Sequence, residues 1–206
     1  KTFLFDGIRA TPEVSFAVRH LQTIAGVQLT ASHNPRTDNG FKFFWTDGGQ
    51  VVPPLDEKFM QLVLDVQEIK RTGFEDAEKQ GFVKIIGKEV DEAYLQRLLE
   101  LSLTKSRSAK VAFSPLNSSG ITNALPILKQ EGFDVTVLES QANPDENFPG
   151  AYRDYINPEF EQVLQPTTEF GEKIGADIAI CTDPDGCRFA ASFKTNINSN
   201  KLTYLT

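Results

Sequence analysis

Apolar and polar positions fall in short blocks that switch repeatedly between the two-residue period of a strand and the 3.6-residue period of a helix. Phe3-Leu4-Phe5 reads as a strand, and Thr11-Pro12-Glu13 starts a helix through about His20, with Thr11 as its cap and Pro12 tolerated in the first turn. Residues 25–30 and 41–46 are strand-sized apolar runs, and Asp47-Gly48-Gly49 then requires a turn with positive φ. Phe59, Leu62, Val63 and Val66 recur at helical spacing and predict an amphipathic helix over 56–70. A strand at 83–86 and a helix at 91–103 follow.

Beyond these, 110–113 reads as strand, 121–130 as helix and 134–138 as strand. Pro144, Pro149 and Pro158 punctuate a turn-rich stretch before a helix at 169–174, a strand at 177–181 and a last strand over 201–206. Alternation of this kind predicts an α/β protein of two layered domains with mixed sheets. A boundary within 88–104 divides it into 1–95 and 96–206.

Two loops stand out chemically. Thr30-Ala31-Ser32-His33-Asn34-Pro35 follows a strand, and the proline keeps Asn34 extended, so Ser32 and His33 sit on a loop. Asp183-Pro184-Asp185-Gly186-Cys187-Arg188 also follows a strand, at the sheet end where α/β proteins collect ligands. Two carboxylates two residues apart on a tight turn can aim their oxygens at one hard cation such as magnesium. Taken singly, Asp-Pro-Asp-Gly is a common turn sequence, Arg188 a surface arginine, Lys42 a solvated strand residue and His33 a hydrogen-bonding histidine. Together they supply a hydroxyl nucleophile, a cation site and two nearby positive charges.

Composition narrows the setting. The chain has 206 residues, is 40% hydrophobic and 10% aromatic, and so can bury a sizeable core. Its net charge is −7 and no basic stripe occurs, which argues against nucleic acid as partner, so local cations must hold any anionic ligand. No apolar run approaches a membrane span, and the expected setting is cytoplasmic without membrane attachment. Cys181 and Cys187 are too few for a disulfide framework and wrongly spaced for a zinc knuckle, which predicts reduced thiols.

The serine loop, with Asn39-Gly40-Phe41-Lys42 after it and an Asp-Pro-Asp-x-x-Arg loop about 150 residues on, resembles the α-D-phosphohexomutases, the phosphoglucomutase/phosphomannomutase family. The segments 5–12 and 47–50, Pro144-Asp145 and Phe148-Pro149 are similar to its phosphoglucomutase branch. The resemblance implies an enzyme that interconverts hexose 1-phosphate and 6-phosphate through a phosphoserine and a hexose 1,6-bisphosphate. By it Ser32 is the phosphoryl carrier, and Lys42, ten positions on, manages the sugar hydroxyl proton. His33 and Arg188 lie around the phosphate, and Asp183, Asp185 and the Ser32 phosphate hold magnesium. Like charge from magnesium and arginine is expected to loosen the Lys42 proton.

The sequence departs from the family pattern in two places. Cys187 stands where the family has a third metal-binding aspartate, and thiols suit magnesium poorly. Asn117-Ser118 replaces a frequent His-Gly pair in a loop expected beside the site. The resemblance further implies that the chain holds part of domain I and most of domain II of a four-domain enzyme. Domains III and IV, which grip the phosphosugar, are then absent, and the fragment alone is expected to be inactive. Two other readings stay open: another magnesium-dependent phosphotransferase or phosphatase, and a non-catalytic relative with an impaired metal site.

Overall fold

A computed structural model describes residues 1–196 and 198–204. The first unit runs β1 (Thr2–Phe5), α1 (Thr11–His20), β2 (Gly26–Leu29), β3 (Phe41–Phe44), α2 (Leu55–Leu64), α3 (Phe74–Lys79), β4 (Val83–Ile86) and α4 (Lys88–Leu99). β1 pairs in parallel with β4, and β2 pairs antiparallel with β3, placing Gln28 opposite Lys42. Among the described residues these remain two separate two-stranded sheets.

α1 organises this unit. Val14, Ala17 and Val18, at the i, i+3, i+4 spacing of one helical face, are buried against Phe44, Ile86 and Val90. Each of the two buried valines is worth about 1.5–3 kcal/mol and the Ala17 methyl about 0.8 kcal/mol. β2 lies hard on the helix, since a side chain at Gly26 would come within 2.5 Å of Val18. That packing fixes the β2–β3 hairpin, and with it the Ser32 loop that joins its strands.

The second unit contains β5 (Lys110–Ser114), a 3-10 turn (Ser119–Ile121), α5 (Ala124–Gln130), β6 (Asp134–Val137), α6 (Glu161–Ile174), β7 (Ile178–Thr182), β8 (Phe189–Phe193) and β9 (Thr203–Tyr204). Its sheet has the order β6-β5-β7-β8-β9, with β6, β5 and β7 parallel and β8 and β9 antiparallel. Ala112 and Ala179 of the central strands form a buried cluster with Ala176 and Leu202, and α6 contributes Phe170 and Ile174 at its edge. α4 packs against α1 on one side and α5 on the other. The chain is thus two α/β layered units, as the alternation predicted, with a parallel and an antiparallel pair in the first and a mixed sheet in the second.

Several element expectations need correction. The helix expected over 56–70 stops at Leu64 and buries none of its residues, although Phe59 stacks on Phe43 with ring centroids 4.1 Å apart. Little surface meets its apolar stripe, and a short helix without tertiary packing is marginal in water. The helix expected at 169–174 begins eight residues earlier, at Glu161, and passes through Pro166. Burial of Val163, Leu164, Thr167 and Gly171 outweighs the one backbone hydrogen bond that the proline removes. The helix expected at 91–103 covers 88–99, and the one expected from 121 starts at Ala124, capped by the Asn123 side chain. Of the last expected strand, Thr203–Tyr204 forms and pairs with β8, while 205–206 lie outside the described residues.

Candidate active site

The two loops picked out from the sequence meet between the units. Ser32 Oγ lies 3.3 Å from Asp183 Oδ2 and 3.1 Å from Asp185 Oδ1, contacts that span more than 150 residues of chain. Arg188 Nη1 donates to Ser32 Oγ at 3.0 Å and sits 2.6 Å from His33 Nδ1. A guanidinium only donates, so in this contact Nδ1 of His33 is the acceptor. Lys42 Nζ binds Asp185 Oδ2 at 2.5 Å, and Cys187 Sγ lies 3.8 Å from Ser32 Oγ. All seven residues singled out from the sequence are therefore in one constellation.

Backbone conformation holds the hydroxyl in place. Ser32 has φ 57, left-handed and unfavourable for a residue with a Cβ, and its amide is tied to Thr30 Oγ1 at 2.7 Å. Facing it, the Asp183 loop turns on Gly186 at φ 63, where a side chain would also come within 2.9 Å of the Ala10 Cβ of the first unit. Asp183 Oδ1 accepts from the amides of Cys187 and Arg188, both at 2.9 Å, which leaves Oδ2 turned toward Ser32.

Sequence reasoning missed three supports. Thr11 was expected to cap α1, but the cap position is Ala10, and the Thr11 hydroxyl crosses to Asp185 Oδ2 at 2.5 Å while its amide donates to Asp185 O at 2.8 Å. The start of α1 therefore presents its positive end to the second unit's carboxylate. Ser118 and Ser119 hydroxyls both donate to Pro184 O, at 2.6 and 2.7 Å, and hold the acidic turn from behind. Asn117 instead ties down the turn-rich stretch, donating to Asn143 O at 3.0 Å. A threonine followed by proline signalled a helix start correctly, but nothing local told where its hydroxyl would go.

The two carboxylates are driven apart in acidity. Burial alone would raise Asp185, but the hydrogen bonds from Lys42 and Thr11 hold it far below the usual carboxylate range. Burial, helped by the adjacent Asp185 charge, moves Asp183 above that range despite its backbone donors. Burial also pushes the Cys187 thiol up to about 11, with the Asp183 charge adding to it. For Lys42 burial works against the charge, but Asp185 outweighs it and holds the ammonium above the usual lysine range. The nearest charged partner of Lys42 is thus an anion, which opposes the loosening expected from magnesium and arginine.

Asp183, Asp185 and Cys187 place one ligand atom each within 4.8 Å of one another. Asp183 Oδ2 and Asp185 Oδ1 both point at Ser32 Oγ, and a phosphoryl group there would add about −1.5 to −2 charges to two carboxylates. Those oxygens suit a hard divalent cation, whereas the Cys187 sulfur does not. A mainly apolar cleft of about 1130 Å³ opens beside the site, lined by β1, α1 and β2, with Ser32, Ser118, Ser119, Pro184 and Asp185 on its wall. Among the described residues no helix is long and apolar enough to cross a membrane.

Comparison with known proteins places this geometry. Residues 1–70 match the phosphoglucomutase/phosphomannomutase α/β/α domain I, and residues 92–196 match domain II. A phosphoglucomutase of Staphylococcus saprophyticus is 33% identical over 188 residues, covering 89% of this chain and 34% of that protein. A Schizosaccharomyces pombe protein named "Probable phosphoribomutase" is 31% identical over 209 residues, covering 95% of the chain and 34% of the relative. The chain thus spans about a third of the length of these curated relatives. Among solved structures, a phosphoglucomutase/phosphomannomutase family protein from Burkholderia thailandensis superposes with a TM-score of 0.72 at 19% identity, covering 96% of this chain and 40% of that one. With both domain matches in sequence order and the fold in agreement, the chain belongs to the phosphoglucomutase/phosphomannomutase family.

Proposed function

We propose that this chain is the phosphoryl-carrier part of a phosphohexomutase. The observation that carries the proposal is Ser32 Oγ, held in a strained loop between the Asp183 and Asp185 carboxylates and the Arg188 guanidinium. Phosphoryl transfer asks a protein mainly for positioning and charge neutralisation, and those are the functions this set of groups can serve.

In the proposed cycle Ser32 carries a phosphoryl group. The bond from phosphorus to Oγ breaks, a bond to a hydroxyl oxygen of a hexose phosphate forms, and the proton that the sugar hydroxyl loses passes by way of Lys42 to the freed Ser32 Oγ. The product is a hexose 1,6-bisphosphate, which returns its other phosphoryl group to Ser32 after turning over. Arg188 spreads positive charge over the moving group, oriented by His33 Nδ1 at 2.6 Å. Lys42, held as the ammonium by Asp185, gives a proton to the sugar oxygen that departs when the phosphoryl group returns. The Ser32 hydroxyl proton then replaces the one Lys42 has given, and when the phosphoryl group moves to the sugar the same transfers run in reverse.

Asp183 Oδ2, Asp185 Oδ1 and the Ser32 phosphate are the groups that would hold a divalent cation, and magnesium fits these oxygens. Bound there, such a cation would neutralise phosphate charge and polarise the phosphoryl oxygens. Glucose phosphate is the favoured substrate, from the phosphoglucomutase-like flanking segments. We infer that the chain alone does not turn over phosphosugars, because it spans about a third of its relatives' length. In the full-length protein, conversion of glucose 1-phosphate should be abolished by Ser32→Ala. Undiminished conversion in that variant would refute the assignment.

A further inference from the structure

Cys187 is the one residue of the constellation that the phosphoryl-carrier reading leaves without a task. Its sulfur is not turned away. It lies 3.8 Å from Ser32 Oγ and 3.5 Å from Asp183 Oδ2, on the same side as the two carboxylate oxygens that face the serine. Four donor atoms thus surround one small space: Asp183 Oδ2, Asp185 Oδ1, Cys187 Sγ and Ser32 Oγ.

The spacing of these atoms is informative. Zinc bound in a tetrahedron at about 2.0–2.2 Å to oxygen and about 2.3 Å to sulfur sets its ligand atoms about 3.3–3.6 Å apart. A magnesium octahedron with bonds of about 2.0–2.1 Å sets neighbouring oxygens about 2.9 Å apart. Here the edges are 3.3 and 3.1 Å between oxygens and 3.8 and 3.5 Å from oxygen to sulfur. Edges of this size bring all four atoms within reach of one ion of either kind. Donor chemistry makes the choice, since sulfur recruits zinc-like cations and is a poor ligand for magnesium. A bound divalent cation takes the proton from a coordinating thiol outright, so a protonated Cys187 in the free site is no obstacle.

Two cations must give way to such an ion, since Lys42 Nζ lies 3.5 Å and Arg188 Nη1 3.7 Å from Cys187 Sγ. Lys42 binds Asp185 through Oδ2, leaving Oδ1 toward the space. Arg188 Nη1 reaches Ser32 Oγ at 3.0 Å and Asp183 Oδ2 at 3.4 Å, so its guanidinium must yield part of that contact as the ion enters.

We infer that Cys187 gives this site a preference for a thiophilic divalent cation of the zinc type over magnesium, with the sulfur as a direct ligand. The inference rests on the cation-site reading above but not on turnover. The most direct test titrates the metal-free full-length protein with cadmium, whose thiolate complexes give a charge-transfer band in the ultraviolet, and with zinc against a chromophoric chelator. The parent should develop the cadmium band, and Cys187→Ser should not. Loss of even supporting groups around a metal costs about 10- to 100-fold in affinity, so zinc affinity should fall at least about tenfold in Cys187→Ser. In Cys187→Asp, magnesium affinity should exceed the parent's. Absence of the band in the parent, or zinc affinity unchanged by Cys187→Ser, overturns the inference. The parent titration needs no variant to fold. If the band is absent while Ser32→Ala still abolishes turnover, the metal preference fails and the phosphoryl-carrier assignment stands.

Discussion

The hydrogen bond between Thr11 and Asp185 offers a quantitative handle on how the two units make one site. Replacing Thr11 by valine keeps the size and branching of the side chain and removes only the hydroxyl. The amide of Thr11 still donates to Asp185 O at 2.8 Å, so the loop stays docked and the loss is confined to the bond at 2.5 Å. Both residues are buried, at 7% and 3% exposure, so water cannot readily replace the missing donor. Hydrogen bonds to charged groups contribute about 1.5–3 kcal/mol, against about 0.5–1.5 kcal/mol for neutral ones. Thr11→Val should therefore lower the unfolding free energy at pH 7 by about 1.5–3 kcal/mol in denaturant titration. In an Asp185→Asn background the same change should cost only about 0.5–1.5 kcal/mol, so the double-mutant cycle should show coupling near 1 kcal/mol or more. Additive effects, or a single-variant loss below about 0.5 kcal/mol, would show that Thr11 does not sustain the Asp185 charge.

Other perturbations probe separate parts of the account. Glu13 is 1% exposed, and burial, with the Asp91 charge, raises its carboxyl to about 8. A folded value above the unfolded one means stability present at acid pH is lost as pH rises through about 8; Glu13→Gln should flatten that decline, and denaturation from pH 5 to 8 checks it. Gly186→Ala forces a Cβ into a φ 63 turn and against Ala10, costing about 1–2 kcal/mol from the backbone alone. It should also weaken divalent-cation binding, seen by calorimetric titration. Lys42→Met should lower full-length turnover by about 10²–10⁴-fold without preventing phosphorylation of Ser32. A turnover and pH profile equal to the parent's would remove Lys42 from proton transfer.

What could be read from the sequence divides along physical lines. The strands and the start of α1 were legible because short apolar runs and a Thr-Pro start are local signals. The extent of α6 was not, since the burial that carries it through Pro166 is tertiary. The Ser32 and Asp183 loops were legible as chemistry because each carries its reactive groups within a few residues. Their supports were less so: Thr11 meets Asp185 across 174 residues, and the serines behind Pro184 are ordinary loop residues until the fold closes. The Asp185 charge beside Lys42 was not legible for a related reason. The environment of Lys42 was read from the expected cations, whereas the nearest charge in the folded chain is the Asp185 carboxylate.

The central claim is that Ser32 is a phosphoryl carrier. Intact mass and peptide mapping of the full-length protein after exposure to glucose 1,6-bisphosphate test it most directly. One phosphoryl group on Ser32, absent from Ser32→Ala, is the predicted result. An unmodified Ser32 in a protein that still converts glucose 1-phosphate would contradict the account.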